Sequence, residues 1–227
     1  MPPLADLTWP DLQGGAAGTV LAVPLGATEQ HGPHLPLSTD TDIAVALAAG
    51  LAGVRTGVVV APAVAYGSSG EHASFAGTLS IGQAAIELLL VELGRSASST
   101  FPRTVFVCAH GGNHEPLLRA ERRLRGEGRD VRAFFPRWAG DAHAGRVETS
   151  LMLALHAGRV RLELAAAGAG APLDVLLPRL IAHGVGEVSP NGVLGDPAGA
   201  SAEDGRELLA RAVGQLADVV DAWGTEQ

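Results

Sequence analysis

Four short apolar runs, each followed by a segment dense in Gly, Pro, His and acidic residues, constrain this chain more than any other feature. The runs are Thr19-Val20-Leu21-Ala22-Val23, ended by Pro24; Gly57 to Ala61, stopped by Pro62; Thr104 to Cys108; and Asp130 to Phe135. Each is short and rich in β-branched or aromatic residues, the pattern of a buried strand. Helical patterns lie between and beyond them. Asp42 to Leu51 puts Ile43, Leu47 and Leu51 on one face, and Ser80 reads as the N-cap of a helix from Ile81 to about Ala97. Further helices are expected over Pro116–Gly126, with Arg on the outer face, and over Thr149–Ala157. A last amphipathic helix, capped by Ser201, should end near Trp223, whereas the Ala/Gly-rich stretch Ala165–Pro172 reads as a loop.

Strand followed by helix, repeated, implies an α/β fold whose mostly parallel sheet is covered on both faces. A length of 227 residues suits one domain spanning 1–227, large enough to bury roughly 70% of its unfolded surface. Ligands of such sheets bind beyond the carboxyl ends of the strands, so the chemistry should follow the strands. Composition excludes several alternatives. All 16 basic residues are Arg, so a Schiff-base or P-loop lysine is impossible. A formal net charge of −8 argues against nucleic acid or an anionic membrane as partner. The apolar runs are far shorter than the roughly 20 residues of a membrane-spanning helix. One Cys and no basic-then-apolar leader point to a reducing, cytoplasmic setting.

Six of the eight His residues lie in the four segments that follow the strands. After the first comes Gly26-Ala27-Thr28-Glu29-Gln30-His31-Gly32-Pro33-His34 and, further on, Asp40; after the second, Gly70-Glu71-His72 with Gly77-Thr78-Leu79-Ser80. After the third comes His110-Gly111-Gly112-Asn113-His114, and after the fourth His143-Ala144-Gly145 with Glu148-Thr149-Ser150. In an extended segment Glu29 and His31 point to the same side, so one metal can take both. Asp40 sits at a helix start, where its two carboxylate oxygens can bridge two ions. His110 ends a buried strand, and Glu148 opens a helix. Imidazole with carboxylate suits zinc, iron or manganese, and such an ion lowers the pKa of bound water to about 7. Taken singly, Asp40 is an ordinary N-cap and Glu148 an ordinary first-turn acid; four clusters together point to a site. His156 and His183 fall outside them. Cys108, ending an apolar strand, reads as a buried, inert thiol. Neither a nucleophile elbow nor a dinucleotide or Walker motif occurs.

Pro24-Leu25-Gly26-x-Thr28-Glu29-Gln30-His31-Gly32-Pro33-His34-Leu35-Pro36-Leu37 resembles the signature of the creatininase (creatinine amidohydrolase) family. So do the segments at Gly70, Gly77, His110 and His143, and the resemblance extends from about Val20 to Gly205. It implies a three-layer α/β/α fold, two divalent metal ions per chain and a homo-oligomer such as a hexamer. Glu29, His31, Asp40 and His110 match family ligands, with Asp40 as the bridge, and His143 matches the proton donor to the leaving nitrogen. Creatininase itself carries a Glu two residues after the metal-binding His, where this chain has Gly112. Members with His-Gly-Gly-Asn use the Glu of Glu-Thr-Ser instead, here Glu148. The family usually has Asn-Gly before that His, where this chain has Cys108-Ala109. Glu71, His72 and Thr78 either shape the substrate side or only support the ligands. Further cues at Ala61–His72, Leu90–Ser96, Val175–Pro178 and Gly192–Pro197 resemble a branch of the family that cuts radical-SAM-modified precursor peptides near the C-terminus. That resemblance implies release of a fragment derived from the final Val and Tyr. Hydrolysis of a small cyclic amide or formamide, and a non-catalytic metal-binding accessory role, are the alternatives.

Overall fold

A computed structural model describes residues 2–13 and 18–223. Among them four strands, β1 (Val20–Leu25), β2 (Val58–Val60), β3 (Arg103–Cys108) and β4 (Val131–Phe134), form one sheet. The order is β2-β1-β3-β4 and every pairing is parallel. The helices are α1 (Trp9–Leu12), α2 (Thr39–Val54), α3 (Gln83–Ala97), α4 (His114–Gly126), α5 (Arg146–His156), α6 (Leu173–His183), α7 (Val185–Val188) and α8 (Ala202–Ala222).

Side-chain alternation along β1 divides the core into two layers. Val20 and Ala22 face one side with Val105 and Val107 of β3, packed against Ile43, Leu47 and Leu51 of α2, Leu151 of α5 and Leu216 of α8. Leu21, Val23 and Leu25 face the other with Phe106 and Cys108, against Ile86 and Leu90 of α3 and Leu117 and Leu124 of α4. The result is the three-layer α/β/α arrangement, with β1 buried along its whole length.

Three local expectations are corrected. Pro24 does not end β1 but lies within it, opposite Val107. The carbonyls of Ala22 and Pro24 both face the β2 side, accepting from Ala61 and Val64. Pro24 therefore turns its missing N–H toward the side where β2 has already stopped at Val60, and no ladder bond is lost. Ser80 is not an N-cap: its hydroxyl accepts from the Ser69 and Gly82 amides, and Gly82, at φ 77°, delays α3 until Gln83. The helices α6, with Pro178 inside it, and α7 lie where no helix was expected. The Ser201 cap holds, its hydroxyl accepting from the Asp204 amide at 3.1 Å.

From β1 the chain crosses to β2 over the α2 face, whereas from β3 it crosses to β4 over the α4 face. The two connections diverge in opposite directions and leave a crevice beyond the carboxyl ends of β1 and β3, where α/β sheets bind their ligands. Asn113 staples the loops around it, donating to the Gly26 carbonyl and accepting from the Ser68 amide, both at 2.9 Å.

Candidate metal centre

The crevice holds a buried cluster of carboxylates and imidazoles. Glu29 and His31 follow β1, Asp40 is the second residue of α2, His110 follows β3, and Glu148 is in the first turn of α5. Asp40 lies at the middle: its Oδ1 is 3.1 Å from His31 Nε2 and its Oδ2 is 3.1 Å from His110 Nδ1. Two donor groups therefore share it, one of Glu29, Asp40 and His110, the other of His31, Asp40 and Glu148. A third group, Glu29, His31 and His143, overlaps both.

Three imidazoles are anchored in the same way. His31 Nδ1 donates to the Glu29 carbonyl at 3.1 Å, His110 Nε2 to the Ser68 carbonyl at 2.8 Å, and His143 Nε2 to the Gln30 carbonyl at 2.9 Å. Because a carbonyl only accepts, each anchoring nitrogen carries a proton, and the other nitrogen is the one that faces the cluster. This is how proteins orient histidines toward a metal. Glu148 is held by the Ala144 amide, which donates to its Oε2 at 2.6 Å. Cys108 takes no part; its thiol donates to the His110 carbonyl, and burial pushes it up to about 12.

The electrostatics call for added positive charge. Burial pushes Glu29 up to about 7 and raises Glu148. Burial alone would pull His31 and His110 down; for His31 the Asp40 carboxylate, and for His110 Glu29 and Asp40 together, outweigh it and hold each at about 10. Burial likewise opposes ionisation of Asp40, but His31 and His110 hold it well below the ordinary carboxylate range. Both carboxylate oxygens of Glu29, and Oδ2 of Asp40, are buried with no hydrogen-bond donor. Buried acceptors of this kind are costly unless a cation meets them. The oxygens without hydrogen bonds and the inward-facing imidazole nitrogens, whose protons a cation would displace, thus fit divalent metal, and the mixed N/O donor set is compatible with zinc, iron or manganese.

The remaining expected residues fall into three positions. His72 and Thr78 lie behind the Glu29–His31 segment: His72 Nε2 is 3.4 Å from Glu29 Oε1, and the Thr78 hydroxyl accepts from the Gln30 amide at 3.2 Å. Glu71 is partly exposed beside Gly112. A Cβ on Gly112 would come within 2.0 Å of the Ser68 carbonyl and 2.6 Å of His110 Nε2, so this chain has no room for a side chain there. His143 belongs to the cluster itself, its bare Nδ1 being 3.9 Å from Glu29 and 4.0 Å from Glu148. Burial, then the charges of His31 and His72, drive its pKa well down, so it is neutral at pH 7. His156 and His183 are exposed and outside the site. Sequence reasoning missed Gln30 and Asn113, although both stand within the quoted motifs.

A parallel α/β/α sheet that gathers acids and imidazoles for metal at its switch point defines a class, the metal-dependent hydrolases that cleave amides with activated water. The chain belongs to the creatininase family: the family's sequence profile, described as creatinine amidohydrolase, matches residues 5–220. It is 50% identical over 212 residues to the mycofactocin precursor peptide peptidase of Mycolicibacterium smegmatis, covering 90% of this chain and 85% of that one. Its fold matches a mutant creatininase of Zn-Zn type with a TM-score of 0.78 at 27% identity, covering 96% of each chain. A creatininase described as Mn matches with a TM-score of 0.75 at 27% identity, again over 96% of each.

Proposed function

We propose that this chain is a two-metal peptidase that cuts a modified precursor peptide of the mycofactocin type near its C-terminus, releasing the Val-Tyr-derived fragment. The observation that carries the hydrolytic part is the sharing of Asp40 between two buried donor groups, with both Glu29 oxygens and Asp40 Oδ2 left without a hydrogen bond. Glu29, Asp40 and His110 would hold one ion, and His31, Asp40 and Glu148 the other. When bound, the ions supply a nucleophilic water at neutral pH and stabilise charge on the carbonyl oxygen.

The protein's own groups do the rest. His143 is fixed by its Nε2–H on the Gln30 carbonyl, and its bare Nδ1 faces the ligands. Being neutral, it takes up the proton released as water adds to the amide carbon. It returns that proton to the nitrogen as the C–N bond breaks. His72 orients Glu29, and Glu71, partly exposed beside Gly112, faces the substrate side. The chain works as one domain, 1–227. Assembly of several copies is part of the same reading, supported by exposed Val175, Leu177 and Ile181 along α6. So is a reducing, cytoplasmic setting, supported by the single, buried Cys108; among the described residues no helix is long and apolar enough to cross a membrane.

The test is incubation of metal-loaded protein with the modified precursor peptide, beside creatinine and a formamide, with products read by mass spectrometry. A C-terminal peptide fragment made only by the loaded protein supports the reading. Hydrolysis of the small amides alone would move the substrate and keep the chemistry. Full activity in Glu29→Ala or His110→Ala would remove the metal assignment.

A further inference from the structure

Gln30 stands between the two motif residues Glu29 and His31, and the residue is 5% exposed. Its amide Nε2 lies 2.8 Å from His72 Nδ1, 3.1 Å from His143 Nε2 and 3.1 Å from the Gly192 carbonyl. Its Oε1 accepts from the Gly32 amide at 2.8 Å, which fixes which end of the side chain is the NH₂. The space it occupies exists because residue 192 is glycine at φ 79°; a Cβ there would fall 1.9 Å from Gln30 Oε1. The side chain is therefore held in one orientation from three directions.

We propose that Gln30 is a positioning residue that sets the tautomers of both accessory histidines. With Gly192 accepting one amide hydrogen, the other goes to His72 Nδ1. His72 must then carry its own proton on Nε2, the atom 3.4 Å from Glu29 Oε1, and so turns an N–H toward that carboxylate. The backbone of the same residue takes the Nε2 proton of His143 and leaves its Nδ1 bare toward the ligands. One residue thus gives two imidazoles, with ring centres 4.6 Å apart, opposite duties: one offers an N–H to the site and the other a lone pair. The inference rests on the hydrolytic reading for its kinetic arm only; the tautomer arm needs no substrate.

The experiment uses ¹⁵N-histidine NMR on the metal-free and zinc-loaded full chain as wild type, Gln30→Met and Gln30→Glu. Gln30→Met keeps length and removes the donor; Gln30→Glu keeps shape and offers only acceptors. The wild type should show His72 and His143 both as Nε2–H. In Gln30→Glu the His72 signal should move to protonated Nδ1, while His143, bonded to the backbone, should keep its tautomer. In both variants kcat should fall about 10–100-fold with KM changed less than about twofold, as expected when a ligand's supporting partner is lost. A wild-type His72 found as Nδ1–H overturns the proposal, even if neither variant folds. So does an unchanged His72 tautomer in both variants, or kcat within about twofold of wild type. Failure of the wild type to cut any amide, with the tautomers as stated, would instead count against the hydrolytic reading.

Discussion

At the scale of single residues, Asp40 and Glu148 separate shared from unshared ligation. Asp40→Asn should lower bound zinc from about two ions per chain to fewer than one, because both donor groups use that carboxylate. Glu148→Ala should leave about one, held by Glu29, Asp40 and His110. Metal analysis of the purified variants decides, and equal losses in the two would contradict the assignment. The thiol makes a pH prediction. Cys108 is pushed up to about 12 by burial, so it is neutral throughout the range below that value. Alkylation by iodoacetamide at pH 8 should be negligible in the native chain and complete in denaturant, whereas a free thiol near its usual 8.5 would react in both. Residue chemistry was unevenly legible from sequence. Glu29 and His31 stood out by spacing and Asp40 by resemblance, and the structure brings the three side chains together. Gln30 did not, since its side-chain partners His72, His143 and Gly192 lie 42, 113 and 162 residues away.

At the scale of elements, the loops matter more to the site than the helices behind them. Asn113→Ala would unpair the Gly26 carbonyl and Ser68 amide, two buried groups from different loops, at a cost of about 1–3 kcal/mol. Leu151→Ala, between α5 and the sheet, should cost about 2–5 kcal/mol through the cavity it leaves. Calorimetric zinc titration distinguishes the two: Asn113→Ala should weaken affinity although the smaller stability loss is its own, and Leu151→Ala should leave affinity near wild type. Equal affinities would show that the loops need no staple. Strands were legible because β-branched runs in a sheet covered on both faces are apolar throughout. Boundaries were less so. Pro24 continues β1 only because β2 is too short to need its N–H, and Ser80 lost its capping role to Gly82; neither neighbour is visible in a local pattern. The helix α6 was hidden by Pro178.

At the scale of the molecule, the sheet places three buried carboxylates at the point where its connections diverge, an arrangement that bound metal would stabilise. Stripping with EDTA should therefore lower the melting temperature. Zinc at about 100 times its Kd should restore about 2.7 kcal/mol. A scanning-calorimetry trace indifferent to metal would mean the cluster is satisfied without it. The global layout was the most legible level of all, because four strand-then-cluster repeats admit few α/β topologies. What no pattern could supply was which side chains fall into which donor group. The most direct measurement is anomalous diffraction at the zinc edge from crystals of the reconstituted chain. Two peaks flanking Asp40, one among Glu29, Asp40 and His110 and the other among His31, Asp40 and Glu148, are predicted. A single peak held by Glu29, His31 and His143, with Asp40 outside its coordination, would contradict the account.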